Sequence, residues 1–182
     1  TRLMPEQVDE AFEAIRETSS VIFDLRGYPH GTAWHVAPRL TERPVAAARF
    51  RRPQLSGALR WWSGFEQWTP ATDKWRYTGR VVVLINEEAI SQSEHTCLFL
   101  EAATPVTFIG SPTNGANGDV TRVALPGGIG VLFSGHDVRH ADGRQLQRVG
   151  IQPHVEAHPT IAGLRAGRDE VLEAAVAWLR SL

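Results

Sequence analysis

The chain has 182 residues, of which 42% are hydrophobic, so its length and composition suit one globular domain with a buried core. Nineteen Lys and Arg against twenty Asp and Glu give a formal net charge of -1, which argues against binding to nucleic acid or an anionic membrane. The single cysteine, Cys97, excludes an internal disulfide, and no apolar run is long enough to span a membrane.

The first residues carry no signal-peptide pattern, and the sequence opens at Thr1 without an initiator methionine. We therefore expect a mature form or an excised piece.

Residues 5–18 have apolar side chains at spacings of three and four, which predicts an amphipathic helix. Residues 21–25 predict a short buried strand that runs into a loop containing Gly27 and Gly31, with a new helix near Thr32. Such a loop either presents backbone amides to an oxyanion or is an ordinary connection.

Residues 41–78 contain proline-rich turns and a basic cluster at 49–52, with little regular periodicity. We expect a long loop that acts as a lid or binding segment, or whose aromatic side chains form a small satellite core over the sheet. Either arrangement would shape a groove. The aromatic side chains concerned are Trp61, Trp62, Phe65, Trp68 and Trp75.

The central stretch is a continuous apolar run at 81–85 followed by a helical pattern that starts at Ser91. The run predicts a strand buried on both faces. Cys97 falls on the inner face of the helix, where we expect it to pack in the core. A serine hydroxyl at the positive end of a helix is well placed to act as a nucleophile. The same spacing from Ser91 to Glu94 is also that of a capping box, in which both side chains only terminate the helix.

A further strand at 105–110 precedes a loop at 111–119 that contains Gly115 and Gly118. Because ligands of α/β proteins sit at the carboxyl ends of strands, we expect this loop, the Gly31 loop and Ser91 to converge. The remainder predicts a hairpin over 119–133, a short strand at 138–140, an extended segment at 150–155 and a last helix at 169–179. His136 and His140 lack a ligand framework, so no metal is expected.

With these pieces in order, the chain resembles the C-terminal processing, or tail-specific, serine protease family. The residues that carry the resemblance are the 21–31 strand and loop, the 90–94 elbow, the 113–115 turn and the closing 149–155 stretch. Together they cover nearly the whole chain. The resemblance implies an α/β fold of the crotonase or ClpP-like superhelix type, built from ββα units, with residues 1–182 as one catalytic-core domain from the C-terminal part of a longer protein.

Carried over by position, the resemblance makes Ser91 the nucleophile and gives the oxyanion hole to the N–H groups of Gln92 and Gly31. It implies that five further residues support the site: Arg26, His30, Glu94, Thr113 and Gly115.

Two departures from the family pattern concern the general base. The lysine of tail-specific members is replaced by Ala116, and Lys74 is the only lysine of the chain. The chain is therefore more similar to the branch of tricorn protease and interphotoreceptor retinoid-binding protein, where a histidine from upstream sequence is paired with a glutamate. Here the glutamate position is Gln147, which can orient an imidazole but carries no charge to stabilise it once protonated. His30 is an internal candidate for the base, whereas His95 is expected to point away from Ser91.

Two functional hypotheses follow. The first is a serine endopeptidase core that cleaves a peptide or protein substrate without a cofactor. The second is a weak or inactive homologue that carries a hydrophobic ligand or peptide in a pocket lined by Trp61, Trp62, Trp68 or Trp75. An acyl-CoA enzyme is disfavoured because nothing in the sequence would hold a nucleotide. The resemblance favours a periplasmic or extracellular location and leaves a homo-oligomer open.

Overall fold

The computed structural model of the chain describes residues 3–56 and 59–182, apart from the side chains of 55 and 59–61. The described part is a mixed α/β fold, as predicted. No helix in it is long and apolar enough to cross a membrane. In chain order its elements are α1 (Val8–Ala14), β1 (Ser20–Asp24), α2 (Ala33–Val36), β2 (Val45–Ser56), β3 (Leu59–Thr69), β4 (Arg80–Ile85), α3 (Gln92–Ala103), β5 (Val106–Gly110), β6 (Val120–Leu125), β7 (Ile129–Ser134), β8 (Asp137–His140), β9 (Val155–Glu156), α4 (Ile161–Arg165) and α5 (Glu170–Arg180).

The central sheet is parallel and has the strand order β1-β4-β5-β9. Its strand β4 is buried on both faces, which confirms the buried strand predicted from the apolar run at 81–85. Val81 and Val83 point to the core that contains Cys97 and Leu98 of α3. The alternate residues of β4 pack against α5 on the opposite face of the sheet. Because successive side chains of β4 point to opposite faces of the sheet, each face packs against a helix.

The prediction of an irregular loop at 41–78 is wrong, because most of this segment forms a long antiparallel hairpin. Strands β2 and β3 pair along their length, and β8 adds to the other side of β2. Arginine, alanine, Pro53 and Gly64 are poor strand formers, so local propensity hides the strands. The hairpin is stabilised instead by burial of Ala48 and Phe50 against the core that includes α3.

The helix predicted at 5–18 is shorter than expected: a 3₁₀ turn at Pro5–Gln7 leads into α1, which ends at Ala14. The helix expected near Thr32 is the four-residue α2, followed by a second 3₁₀ turn. The hairpin of β6 and β7, the strand β8 and the helix α5 are confirmed. The expected extended segment at 150–155 contributes only the two-residue β9, and α4 was not predicted.

The loops that follow β1, β4 and β5 meet at one end of the parallel sheet, which confirms the expected convergence. The N–H of Asn114 donates to the Ala89 carbonyl at 3.0 Å, so the loop after β5 contacts the loop after β4. The hydroxyl of Ser93 donates to the Leu25 carbonyl, which fixes the start of α3 to the end of β1. This shared edge positions the candidate site.

Candidate active site

Ser91 lies at a strained turn between β4 and α3. It has φ 55° and ψ -111°, a conformation that costs a residue other than glycine on the order of 1–3 kcal/mol. Its N–H donates to the Ala116 carbonyl at 3.1 Å, which anchors the strained residue to the loop after β5. A sharp strand-to-helix turn of this kind presents a serine hydroxyl as a nucleophile.

Ser91 and Glu94 have the arrangement of a capping box, which confirms that interpretation of their spacing, but the two side chains differ in their hydrogen bonds. A carboxylate oxygen of Glu94 accepts from the Ser91 N–H at 3.3 Å. The Ser91 hydroxyl has the placement of a capping box but makes no side-chain cap hydrogen bond. The side chain is half-buried, so the hydroxyl stays available for chemistry while Glu94 terminates the helix.

Glu94 connects the elbow to the loop after β5. It is fully buried, and Oε1 accepts from the Thr113 hydroxyl and from the Gly115 N–H, each at 2.6 Å. Its Oε2 accepts from the Ala116 N–H at 3.0 Å in addition to the bond from Ser91. A buried carboxylate with four donors is well compensated for its loss of hydration. Glu94 therefore holds Ser91 and the facing loop in register.

A second connection fixes the loop after β5 from its other side. The Thr113 hydroxyl accepts from the Ile151 N–H at 2.8 Å, and the Arg148 N–H donates to the Gly115 carbonyl at 2.6 Å. Gly115 has φ 72°, and a Cβ at this residue would lie 2.8 Å from the Val149 nitrogen. Only glycine therefore satisfies both the backbone conformation and the close approach of the two loops.

We expect Gly115→Ala to lower the free energy of unfolding by about 2 kcal/mol, because it adds left-handed strain and a backbone clash. The same displacement would move the amides that bind Glu94. The measurement is denaturant unfolding, with Gly127→Ala as a matched control. Gly127 also has positive φ but open space around its Cβ position, so its variant should lose only the conformational part. Equal losses in the two variants would contradict the packing argument.

A hydrogen bond joins the two residues predicted to supply the oxyanion donors, Gly31 and Gln92. Gln92 is the first residue of α3, and its N–H has no hydrogen-bond partner within the described residues. The Gly31 N–H donates to the side-chain oxygen of Gln92 at 3.0 Å. The structure thus brings the Gly31 loop to the elbow as expected, with one of its donors already occupied.

No histidine or lysine of the described part of the chain hydrogen-bonds the Ser91 hydroxyl. His30 is exposed in the Gly31 loop, and Lys74 pairs with Asp9 on α1. His95 is buried and its Nε2 contacts the Gln67 oxygen at 2.6 Å, with Asn117 at 3.5 Å from Nδ1. The general base is therefore not supplied by a residue already in contact with Ser91.

Burial lowers the pKa of His95 to about 4, and its ring packs against Trp34, Phe50 and Phe99. The unfolded chain, with an ordinary histidine pKa near 6.5, binds the proton first as the pH falls. We expect this residue to cost about 2 kcal/mol of folding free energy between pH 7 and pH 4.5, while contributing no change above pH 7. Denaturant unfolding at the two pH values measures it. In His95→Gln the loss between these pH values should shrink by that amount, and an unchanged loss would contradict the assignment.

Gln147 is near the site but touches no imidazole in the residues that the structure describes. Its side-chain oxygen accepts from the Asn117 N–H at 3.1 Å, and its amide nitrogen donates to the His136 backbone carbonyl at 3.4 Å. Asn117 follows Ala116 and borders His95. Gln147 therefore stabilises the loop after β5. It could orient a catalytic histidine only if that histidine came from sequence outside the described residues.

Arg26 does not contact Ser91. Its guanidinium binds Asp24 and Asp169, each at 2.7 Å, and so ties the end of β1 to the start of α5. Hydrogen bonds to Asp24 and then to Asp169 raise the pKa of Arg26 further above its usual range. The resemblance implied that Arg26 supports the site, and in the structure this residue anchors the edge of the sheet.

The tryptophan-lined pocket expected for a ligand carrier stays a prediction, and three of its four tryptophans have described side chains. Trp62 and Trp68 are half exposed, and Trp75 packs against Phe12 and Arg39. The side chain of Trp61 lies outside the described residues. A cavity of about 640 Å³ borders the end of β1 and α3, and its lining includes Leu25, Thr32 and Leu100 but neither Ser91 nor a tryptophan.

Across residues 3–56 and 59–182, no group of three or more His, Cys, Asp or Glu side chains could hold a metal ion.

Two features of the site were missed in the sequence. One is the bond from Gly31 to the side chain of Gln92, and the other is the burial of His95 between Gln67 and Asn117. Both depend on contacts between distant segments. The only sequence signal was the bulky amide directly after the serine, which is the position whose N–H is needed for an oxyanion hole.

Known proteins resemble this chain over most of its length. The sequence profile of peptidase family S41 matches residues 2–157. A Chlamydia pneumoniae protein, CPj1016/CpB1054, is 32% identical over 108 residues, which are 58% of this chain and 17% of that protein.

Two solved structures show the same fold. One, from Parabacteroides merdae and described as a peptidase, has a TM-score of 0.85 and 23% identity over 98% of this chain and 57% of its own. The photosystem II D1 C-terminal processing protease has a TM-score of 0.60 and 18% identity, over 85% of this chain and 39% of its own. The chain thus spans less than two thirds of the length of each of these relatives. The family match covers most of the residues, including every segment of the candidate site, and the chain belongs to peptidase family S41.

Proposed function

We propose that the chain is the catalytic core of a serine endopeptidase with Ser91 as its nucleophile. The observation that carries the proposal is the strained turn at Ser91, whose neighbour Gln92 has an N–H without a partner in the described residues and a side chain bonded to the Gly31 loop. Neither helix capping nor packing requires a serine in this conformation. An elbow of this kind is suited to acyl transfer.

In this mechanism the Ser91 oxygen attacks the peptide carbonyl carbon while a base removes the hydroxyl proton. The carbonyl oxygen takes the electron pair and is held by the N–H groups of Gln92 and Gly31. The C–N bond then breaks, the protonated base returns its proton to the leaving amine, and water hydrolyses the acyl-enzyme. Because no base of the described residues contacts Ser91, we assign this role to a histidine supplied by sequence outside this chain.

The hydrophobic-carrier alternative predicts a large apolar pocket next to the tryptophans, whereas the cavity of about 640 Å³ beside β1 and α3 has no tryptophan in its lining. The peptidase proposal accounts for more of the site, because it uses the strained Ser91, the buried Glu94 and the Gly31 loop together. The branch of the family and the compartment stay predictions, and so does the oligomeric state.

The test is labelling of the full-length protein with a fluorophosphonate probe, which reacts with an activated serine hydroxyl. We expect one modification, on the peptide that contains Ser91, and none in Ser91→Ala. Ser93→Ala is not a suitable control because that hydroxyl bonds the Leu25 carbonyl. Ser181→Ala, whose hydroxyl bonds only the Trp178 carbonyl within the last helix, should label as the wild type does. A folded protein that is not modified at Ser91 would overturn the proposal.

A further inference from the structure

The side chain of Gln92 occupies a donor that substrate would need. The Gly31 N–H, one of the two expected oxyanion donors, is 3.0 Å from the Gln92 Oε1 atom and donates to it. Both residues are half-buried. The group that fills the donor is a carboxamide, which is the same chemical group as the peptide bond that the site is proposed to cleave.

The backbone of Gln92 is fixed independently of this contact. Its carbonyl accepts from the Thr96 hydroxyl at 2.8 Å within α3, and its N–H is the second expected oxyanion donor. The side chain can therefore leave Gly31 without any change in the position of the N–H.

We propose that Gln92 is a self-inhibitory side chain, whose carboxamide holds the place of the substrate carbonyl at Gly31 until a substrate displaces it. This inference rests on the proposed function of Ser91 as a nucleophile. A substrate that enters must exchange the Gln92 oxygen for its own carbonyl oxygen. The exchange lowers the rate of acylation by the strength of one neutral hydrogen bond, a factor of about three to ten.

The first test compares Gln92→Ala with the wild type in the full-length protein. The variant keeps the N–H of residue 92 and removes only the carboxamide. We expect fluorophosphonate to label Ser91 about three to ten times faster in the variant, with peptide cleavage showing a lower KM. The Gly31 amide should also exchange faster with solvent deuterium, because it has lost its acceptor.

The matched control is Gln7→Ala. Gln7 is exposed at the start of α1, and its Oε1 accepts from the backbone N–H of Met4 at 2.9 Å, so this variant removes the same kind of bond far from the site. It should leave both the labelling rate and the Gly31 exchange rate unchanged.

A second variant, Gln92→Glu, should act in the opposite direction. An ionised carboxylate accepts more strongly from the Gly31 N–H and repels a developing oxyanion. At pH 7 it should label more slowly than the wild type, by about tenfold or more. Since an ordinary glutamate has a pKa near 4.3, the ratio of variant to wild-type rate should rise as the pH falls from 7 to 5. A residue that only supports the fold would give no such pH-dependent ratio.

The outcomes separate this inference from the proposed function. Equal labelling rates in wild type and Gln92→Ala, or an unchanged Gly31 exchange rate, would overturn the self-inhibitory role while leaving Ser91 as the nucleophile. Failure of every variant to label at Ser91 would overturn both proposals. Faster labelling in Gln92→Ala together with slower labelling in Gln92→Glu would establish that the carboxamide restrains the site.

Discussion

Replacing Glu94 with alanine is expected to lower the free energy of unfolding by about 3–5 kcal/mol and to slow the labelling of Ser91 at least about a hundredfold. The carboxylate accepts from the N–H groups of Ser91, Gly115 and Ala116 and from the Thr113 hydroxyl. Its removal leaves the N–H groups of Gly115 and Ala116 and the Thr113 hydroxyl without their acceptor, while the Ser91 N–H keeps only the Ala116 carbonyl. The strained conformation of Ser91 would then lose one of the two contacts of its N–H and the fixed position of the facing loop, so the hydroxyl would be held less firmly toward a substrate carbonyl.

Denaturant unfolding and the fluorophosphonate labelling rate measure the two effects separately. Glu94→Gln keeps one oxygen but turns an amide NH₂ toward two of the four donors, so we expect a smaller loss of stability with a clear loss of labelling. Glu173→Ala, at an exposed carboxylate that pairs with Arg168 on the surface, is the control and should change neither quantity appreciably. Wild-type stability in both Glu94 variants would contradict the assigned role.

The part of this site that the sequence predicts is the part encoded locally. A β-branched apolar run predicts β4, and the change to helical spacing after it locates Ser91 between strand and helix. Strand-end loops with glycine predict that the Gly31 and Gly115 segments meet, because parallel strands share an edge. The spacing from Ser91 to Glu94 also indicated that the carboxylate would reach the elbow, although it did not reveal the facing loop.

The rest depends on contacts between segments that are distant in sequence. The β2–β3 hairpin contains residues with low strand propensity and forms because its inner face packs on α3 and its outer edge pairs with β8. The acceptor of the Gly31 N–H depends on whether the Gln92 side chain turns toward Gly31 or toward solvent, and spacing along the chain is the same in both cases. Burial of His95 likewise requires knowing that Gln67 comes from that hairpin.

The second large effect is expected from Gln147→Glu in the full-length protein. If a histidine from sequence outside this chain acts as the base, a carboxylate at position 147 would stabilise the imidazolium that forms during attack, whereas the present amide only orients the ring. Loss of the equivalent charge in other serine proteases costs about 10⁴-fold in rate, so a gain on the order of 10²- to 10⁴-fold in peptide cleavage is expected. The new side chain can still accept from the Asn117 N–H and gives up only the long bond to the His136 carbonyl.

Gln145→Glu is the matched control, because it makes the same change of charge two residues away on an exposed side chain whose amide bonds the Gln147 carbonyl. It should leave the cleavage rate within about twofold of the wild type. The cleavage rate of Gln147→Glu should also follow the pH, since attack needs a neutral base and the rate therefore declines as the pH falls below about 6.5. A Gln147→Glu protein that folds normally and cleaves no faster than the wild type would show that position 147 does not face the base. The activity would then depend on Ser91, Gly31 and the Gln92 N–H with a proton acceptor located elsewhere, and the base would have to be sought on the side of the site that the Gly31 loop borders.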